Sequence, residues 1–222
     1  MSGIQQNFAY GRSFGFPNGW PANIGAAYGG GFFAGQINVS GIKYNLVVAP
    51  KASGETSART WGVDGTTTGI TSVINGPTNS ASLAALGASY QAAVFCEGLT
   101  IGGYSDWYLP AKNELEVLYY FLKPTAATNA NWGVGSNANA VSPEPISTNY
   151  TSGAPAQTSA GIGFRTGETN AFDVSIYGNY WSSTEYSANY AWFQRFSDGD
   201  QDFSSKNAST YLYVRAVRRI PV

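Results

Sequence analysis

The 222-residue sequence contains no histidine and a single cysteine, Cys96. Losing histidine removes the commonest general base and the commonest metal ligand together. A Ser-His-Asp or Cys-His arrangement is therefore excluded. One cysteine excludes an intrachain disulfide and a thiolate zinc site. Set in the run Ala92, Ala93, Val94, Phe95, it reads as a small buried hydrophobe. Charge is scarce too: 11% of residues carry one, 12 basic against 13 acidic, with no basic stripe. Nucleic acid is not an expected partner. No apolar run is long enough for a membrane span, so no membrane insertion is expected. The opening MSGIQQNFAY has no basic segment followed by an apolar one. No secretory leader is expected from it, which points to assembly in a cytoplasm and release by a route such as host lysis.

What the chain does hold is aromatic side chain, 15% of all residues, enough apolar area for a core without staples. Residues 13–42 carry no charge and mix glycine with Phe14, Phe16, Trp20, Tyr28, Phe32 and Phe33. We read residues 1–40 as an N-terminal arm for subunit or virion attachment, with folding back onto its own domain as the alternative. Residues 41–222 then form one domain.

Hydrophobic spacing predicts a strand over 42–49. A helix is expected over 80–97, with Leu83, Leu86, Tyr90, Ala93 and Val94 on its buried face and Gly98 as its stop. A second helix follows Pro110, burying Leu115, Leu118, Tyr119 and Leu122, and ends at Pro124. Residues 124–164 have loop composition, and a loop of that length tends to be functional. Alternation predicts strands over 190–196 and 211–217, joined through a turn over 197–202. The fold class is α+β.

Three segments carry a family resemblance: GGYSDWYLPAKNELEVLYY (residues 102–120), YWSSTEYSANYAWFQRFSDG (180–199) and YVRAVR (213–218). Together and in this order they resemble the C-type-lectin-like domain found at the C-termini of bacterial collagen-like adhesins and in phage structural proteins of tail fibre and virion. The resemblance implies a C-type-lectin-like fold, with two helices packed on antiparallel sheets and long irregular loops. Two positions depart from the family pattern. Tyr108 stands where Arg is common, and Ala111 replaces the hydroxyl residue that would cap the second helix, leaving only the Glu114 half of a capping box.

Within that resemblance the motif residues read as scaffold. Trp107 and Trp181 are expected as core anchors. Arg215 and Arg218 are expected to pair with carboxylates such as Glu114, Glu116 or Glu185. The ligand-binding face is expected on the long loops, through Trp132, Tyr150, Phe164, Phe172 and Tyr177 set among small polar residues; a subunit contact is the alternative for these rings. Asp198, Asp200 and Asp202 alternate as calcium ligands do, but the sixth-position glycine and twelfth-position glutamate of a calcium loop are absent. No cofactor is expected, calcium being the one weak candidate; a polar hairpin turn is the plainer reading. Gly161, Gly163 and Gly167 miss the dinucleotide-loop spacing and context. The lectin-like fold that the resemblance implies also hosts formylglycine-generating enzymes, whose chemistry relies on cysteines, and the single cysteine here argues against that activity.

The expectation for function is a non-enzymatic phage virion surface protein, recognising a host receptor from a tail fibre or tail tip. A capsid or tail decoration protein and a bacterial adhesin domain are the alternatives. Expected partners are other virion proteins, copies of the same chain, and a host-surface glycan or protein.

Overall fold

The computed structural model describes residues 23–141, 148–160, 163–176, 178–208 and 212–222. The first sheet starts with β1 (Ala27–Tyr28), β2 (Gly31–Val39) and β3 (Ile42–Val48). A one-turn helix α1 (Lys51–Gly54) leads into β4 (Glu55–Ser57), which belongs to a second sheet. Helices α2 (Gly76–Ala85), α3 (Gln91–Glu97) and α4 (Lys112–Leu122) follow. Next come β5 (Ala140–Val141), β6 (Asn179–Glu185), β7 (Tyr190–Arg195), β8 (Gln201–Ser205), β9 (Leu212–Arg215) and β10 (Val217–Pro221). The first sheet has the order β1-β2-β3-β10, with β5 also on β2; the second runs β4-β9-β6-β7-β8. All pairings are antiparallel except β6 with β9. The α+β class is therefore observed directly.

Four expectations need correction. The segment expected as an arm supplies β1 and β2, and β2 pairs with β3 from Phe32↔Val48 to Val39↔Ile42. Its described part, residues 23–40, thus belongs to the domain. The apolar run GFFAGQINV is buried along most of its length, which a strand covered on both faces achieves and a peripheral arm does not. Residues 1–22 lie outside the described residues. At Gly35 (φ +121°) the register shifts, and a side chain there would meet Phe121 of α4 at 2.7 Å. The bulge lets α4 lie close against the strand.

The helix expected over 80–97 is two helices. Gly87, at φ +109°, breaks the chain between them. The break turns Leu86 and Val94 to solvent, although a continuous helix would have buried both. The turn expected over 197–202 is shorter, because Gln201 already opens β8. The last expected strand is divided at Ala216 into β9 and β10, which enter different sheets.

Two apolar clusters result. One lies between the first sheet and α4 and includes Ile37, Leu46, Leu118, Tyr119 and Phe196. The other gathers Trp61, Leu83, Trp107, Trp181 and Val214. Trp107 and Trp181 are both buried, and their indole N–H groups donate to Tyr104 O (3.0 Å) and Arg59 O (2.9 Å). A buried indole needs such a partner.

Candidate functional site

Most charged groups of the three motifs are engaged inside the fold. Arg215 on β9 lies directly opposite Glu55 on β4, and its Nη1 is 2.8 Å from Glu55 Oε2. Its Nε donates to Ala49 O at 2.7 Å. Burial pulls the guanidinium pKa down, and the Glu55 charge opposes that shift. Arg218 forks onto Asp106, Nε–Oδ1 2.7 Å and Nη2–Oδ2 2.9 Å. The expected partners are thus corrected. Glu55 and Asp106 hold Arg215 and Arg218, because the division at Ala216 sends the two arginines to different sheets.

The carboxylates expected for those arginines have other roles. Glu185 meets Lys206 Nζ at 2.5 Å and accepts the backbone N–H groups of Thr68 (2.8 Å) and Gly69 (2.9 Å). Burial works against its ionisation, yet these bonds outweigh burial and hold its pKa below the ordinary value. Glu114 accepts from Ala111 N (2.8 Å) and Tyr108 Oη (3.0 Å), with Arg219 at 3.4 Å. Glu116 accepts from Tyr150 Oη (2.6 Å) and Asn137 Nδ2 (2.7 Å). Burial pushes each of these two carboxyls up to about 7 against the bonds that favour their charged forms. The Glu114–Ala111 bond is the half of a capping box that the sequence retains.

The expected loop face is largely absent from the surface. Tyr150, Phe164 and Phe172 are buried, so they have no free ring to offer a ligand. Tyr150 packs on Tyr119 at 5.4 Å, Phe164 on Phe32 at 5.3 Å, and Phe172 stacks on Phe196 at 3.8 Å. The reason is area: the loops lie over α4 and the sheets, and burying their rings there removes apolar surface from water. Tyr177 lies outside the described residues. Of the four described, Trp132 alone is open, 67% exposed, with its indole N–H on Asp200 Oδ1 at 3.2 Å.

Two of the three alternating aspartates share an arginine and the third turns to its own strand. Asp198 takes a two-point bond from Arg195 (2.8 and 2.7 Å), and Asp200 lies 3.3 Å from the same guanidinium. Asp202 accepts the N–H of Phe203 on β8. Among the described residues, no group of three or more His, Cys, Asp or Glu side chains is placed to hold a metal ion.

A different surface stands out, on β7, β8 and the β6–β7 hairpin. Tyr186, Tyr190 and Phe203 are 47%, 40% and 38% exposed, and Trp192 lies among them half-buried. Tyr186 and Phe203 stack at 4.1 Å with their planes 3° apart, and Trp192 stands at 89° to both. Tyr190 meets Phe203 at 5.2 Å. The Lys112 ammonium sits 4.1 Å above the Trp192 ring. The alternation of Tyr190 and Trp192 was readable in the sequence. Phe203 was not, because the turn was expected to end at residue 202 and no strand was expected before residue 211, whereas β8 spans Gln201–Ser205.

The molecule is an α+β domain in which most motif charges are paired within the fold, while open aromatic rings gather at the β6–β7 hairpin, β7 and β8. It belongs to the Lcl C-terminal domain family, whose model matches residues 56–218, well over half of the chain. The matched segment opens in β4 and closes at Arg218, so it spans both ion pairs of the last two strands except for Glu55. No curated protein matches the chain.

Proposed function

We propose that this chain is a non-enzymatic, adhesin-like binding module with a C-type-lectin-like fold, displayed on a phage virion where it contacts the host from a tail fibre or tail tip. The observation that carries the reading is the division of labour among its side chains. Arg215, Arg218, Lys206, Glu55, Glu114, Glu116 and Glu185 are held in internal pairs and hydrogen bonds, while aromatic rings are left facing solvent. Groups locked in this way tie the scaffold; open rings supply contact area for recognition. Membership of the Lcl C-terminal domain family supports a surface-associated role. The near-neutral charge supports a partner other than nucleic acid.

Other virion proteins and copies of the same chain are its assembly partners in this reading, and a host-surface glycan or protein is its target. It uses no cofactor. No helix among the described residues is long and apolar enough to cross a membrane, which fits a module held on a particle by protein contacts. Immunogold electron microscopy of purified particles tests the proposal, and so does competition of the free chain with particle adsorption. Label at the tail end together with blocked adsorption supports it. Label spread over the head or tail shaft, without competition, replaces it with a decoration role. Label absent from particles but present on a cell surface replaces it with a bacterial adhesin.

A further inference from the structure

We propose that the Lys123 amine and the Asn129 carboxamide join as an intramolecular isopeptide, a covalent tie between the end of α4 and the loop that follows it. The proposal stands on the chain's own chemistry and is independent of what the module binds.

Lys123 caps the C-terminal end of α4 and is only 1% exposed. A buried ammonium is ordinarily met by a carboxylate, as Lys206 is by Glu185. Among the described residues Lys123 has no such partner. Its Nζ instead donates to three oxygens that carry no full charge: Ala127 O at 2.5 Å, Asn129 Oδ1 at 2.7 Å and Pro155 O at 3.2 Å. The Asp198 carboxylate, whose charge reaches this lysine, is itself engaged by Arg195. Burial pulls the amine pKa down, with the Asp198 charge opposing that shift. A buried lysine that has lost its proton is a nucleophile. One event per chain is enough, so a small neutral fraction suffices.

The carboxamide is held at both ends. Asn129 Nδ2 donates to Pro155 O at 2.9 Å and Thr151 O at 3.1 Å, while Oδ1 accepts the Tyr119 hydroxyl at 2.6 Å. A carbonyl bond is about 1.2 Å long, so Lys123 Nζ lies within about 4 Å of Asn129 Cγ. Rotation about the last bonds of the lysine chain carries it onto the carbonyl face. Fixed proximity of this kind replaces a collision between molecules. Tyr119 supplies the oxyanion donor. Burial and then the Asp198 charge raise its phenol well above the ordinary range, so it keeps the proton with which it stabilises charge at Oδ1.

The step balances without a co-reactant. After the ammonium gives one proton to water, the Nζ electron pair attacks Cγ and the carbonyl π pair moves onto Oδ1. Nζ then passes a proton to Nδ2, the carbonyl re-forms, and the Cγ–Nδ2 bond breaks to release ammonia. Pro155 O touches both the entering nitrogen and the leaving one, so the new amide N–H inherits an acceptor. Such a bond is insensitive to reduction, in a chain whose single cysteine permits no internal disulfide.

Intact mass spectrometry of the folded full chain tests the proposal, and the mass should fall short of the sequence by one ammonia. Tryptic peptide 113–165 holds both residues, because trypsin does not cut between Lys123 and Pro124. That peptide should carry the deficit and yield no fragment ions from breaks between residues 123 and 129. Lys123→Arg and Asn129→Ala should restore the full mass, and Tyr119→Phe should slow ammonia loss about a hundredfold. If a variant fails to fold, the wild type still decides, because amine acetylation in urea modifies Lys123 only where it is free. Full mass, or acetylated Lys123, after prolonged incubation of the folded wild type overturns the proposal. So does a deficit that persists in Lys123→Arg, or one that maps to Asn75 beside Gly76, where a succinimide is its source. An unchanged rate in folded Tyr119→Phe overturns the oxyanion assignment.

Discussion

Arg218 and Asp106 join the last strand to the Gly-Tyr-Ser-Asp-Trp segment through two parallel N–H···O bonds of 2.7 and 2.9 Å. The two ends of this pair are unequal. Arg218 is nearly enclosed, with its guanidinium 3.8 Å over the Tyr104 ring and its Nη1 on Gly29 O at 2.9 Å, whereas the Asp106 side chain is 56% exposed. Solvent screens the aspartate, so Asp106→Ala should cost no more than about 1 kcal/mol. Arg218→Ala also removes the stacking and a buried donor, and should cost about 2–3 kcal/mol. Urea unfolding of both variants checks the difference.

The Arg215–Glu55 pair is enclosed on both sides, and removing one partner strands a charge in the interior. Glu55→Gln should destabilise by about 3–5 kcal/mol. The guanidinium retains Ala49 O and Asn170 O as acceptors, which favours the lower end. A loss under about 1 kcal/mol in urea would show that the pair is not what ties β4 to β9.

Stability should depend on pH through helix α4. Glu114 and Glu116 have folded-state pKa values of about 7, raised by burial. A raised carboxyl pKa means that the folded state prefers the proton. The stabilisation is complete below the unfolded value near 4.5 and is lost as pH rises through about 7. Each group contributes on the order of 1–3 kcal/mol. The urea midpoint should therefore fall between pH 5 and pH 8, and Glu116→Gln should reduce that slope. Glu185 has a lowered pKa, so its contribution is lost in the opposite direction, as pH falls below about 4.5 through its folded value. A flat midpoint from pH 5 to 8 would contradict the assignment to α4.

Cys96 should be chemically silent in the native chain. It is fully buried, and burial followed by the neighbouring Glu97 charge raises its thiol well above the ordinary range. A thiol reagent at pH 8 should leave it unmodified until urea unfolds the domain, and then modify one thiol per chain. Rapid modification without denaturant would show that this part of the core opens readily.

Several of these features could be read directly from residues. Leu115, Leu118, Tyr119 and Leu122 mark α4 by their spacing, and the absence of histidine and of a second cysteine excludes whole classes of chemistry. Trp107 and Trp181 were legible as anchors because their motifs are distinctive. The strand at Gly31–Val39 was not legible, because glycine and continuous burial hide the alternation that marks a half-exposed strand. Nor was the helix break at Gly87, since one glycine within a periodic run is compatible with either a continuous or a broken helix.

The sequence by itself determined the exclusions, the α+β class, the main helix and the three motifs, because composition and local periodicity act over a few residues. Tertiary structure alone decided which carboxylate meets which arginine, which loop aromatics are buried and which rings remain in water. Those outcomes depend on contacts between distant segments: Glu55 reaches Arg215, and Tyr150 reaches Glu116, only after sheets and helix have packed. The loop rings of Tyr150, Phe164 and Phe172 and the strand rings of Tyr190 and Phe203 have the same chemistry. Packing buried the first three and left the other two in water.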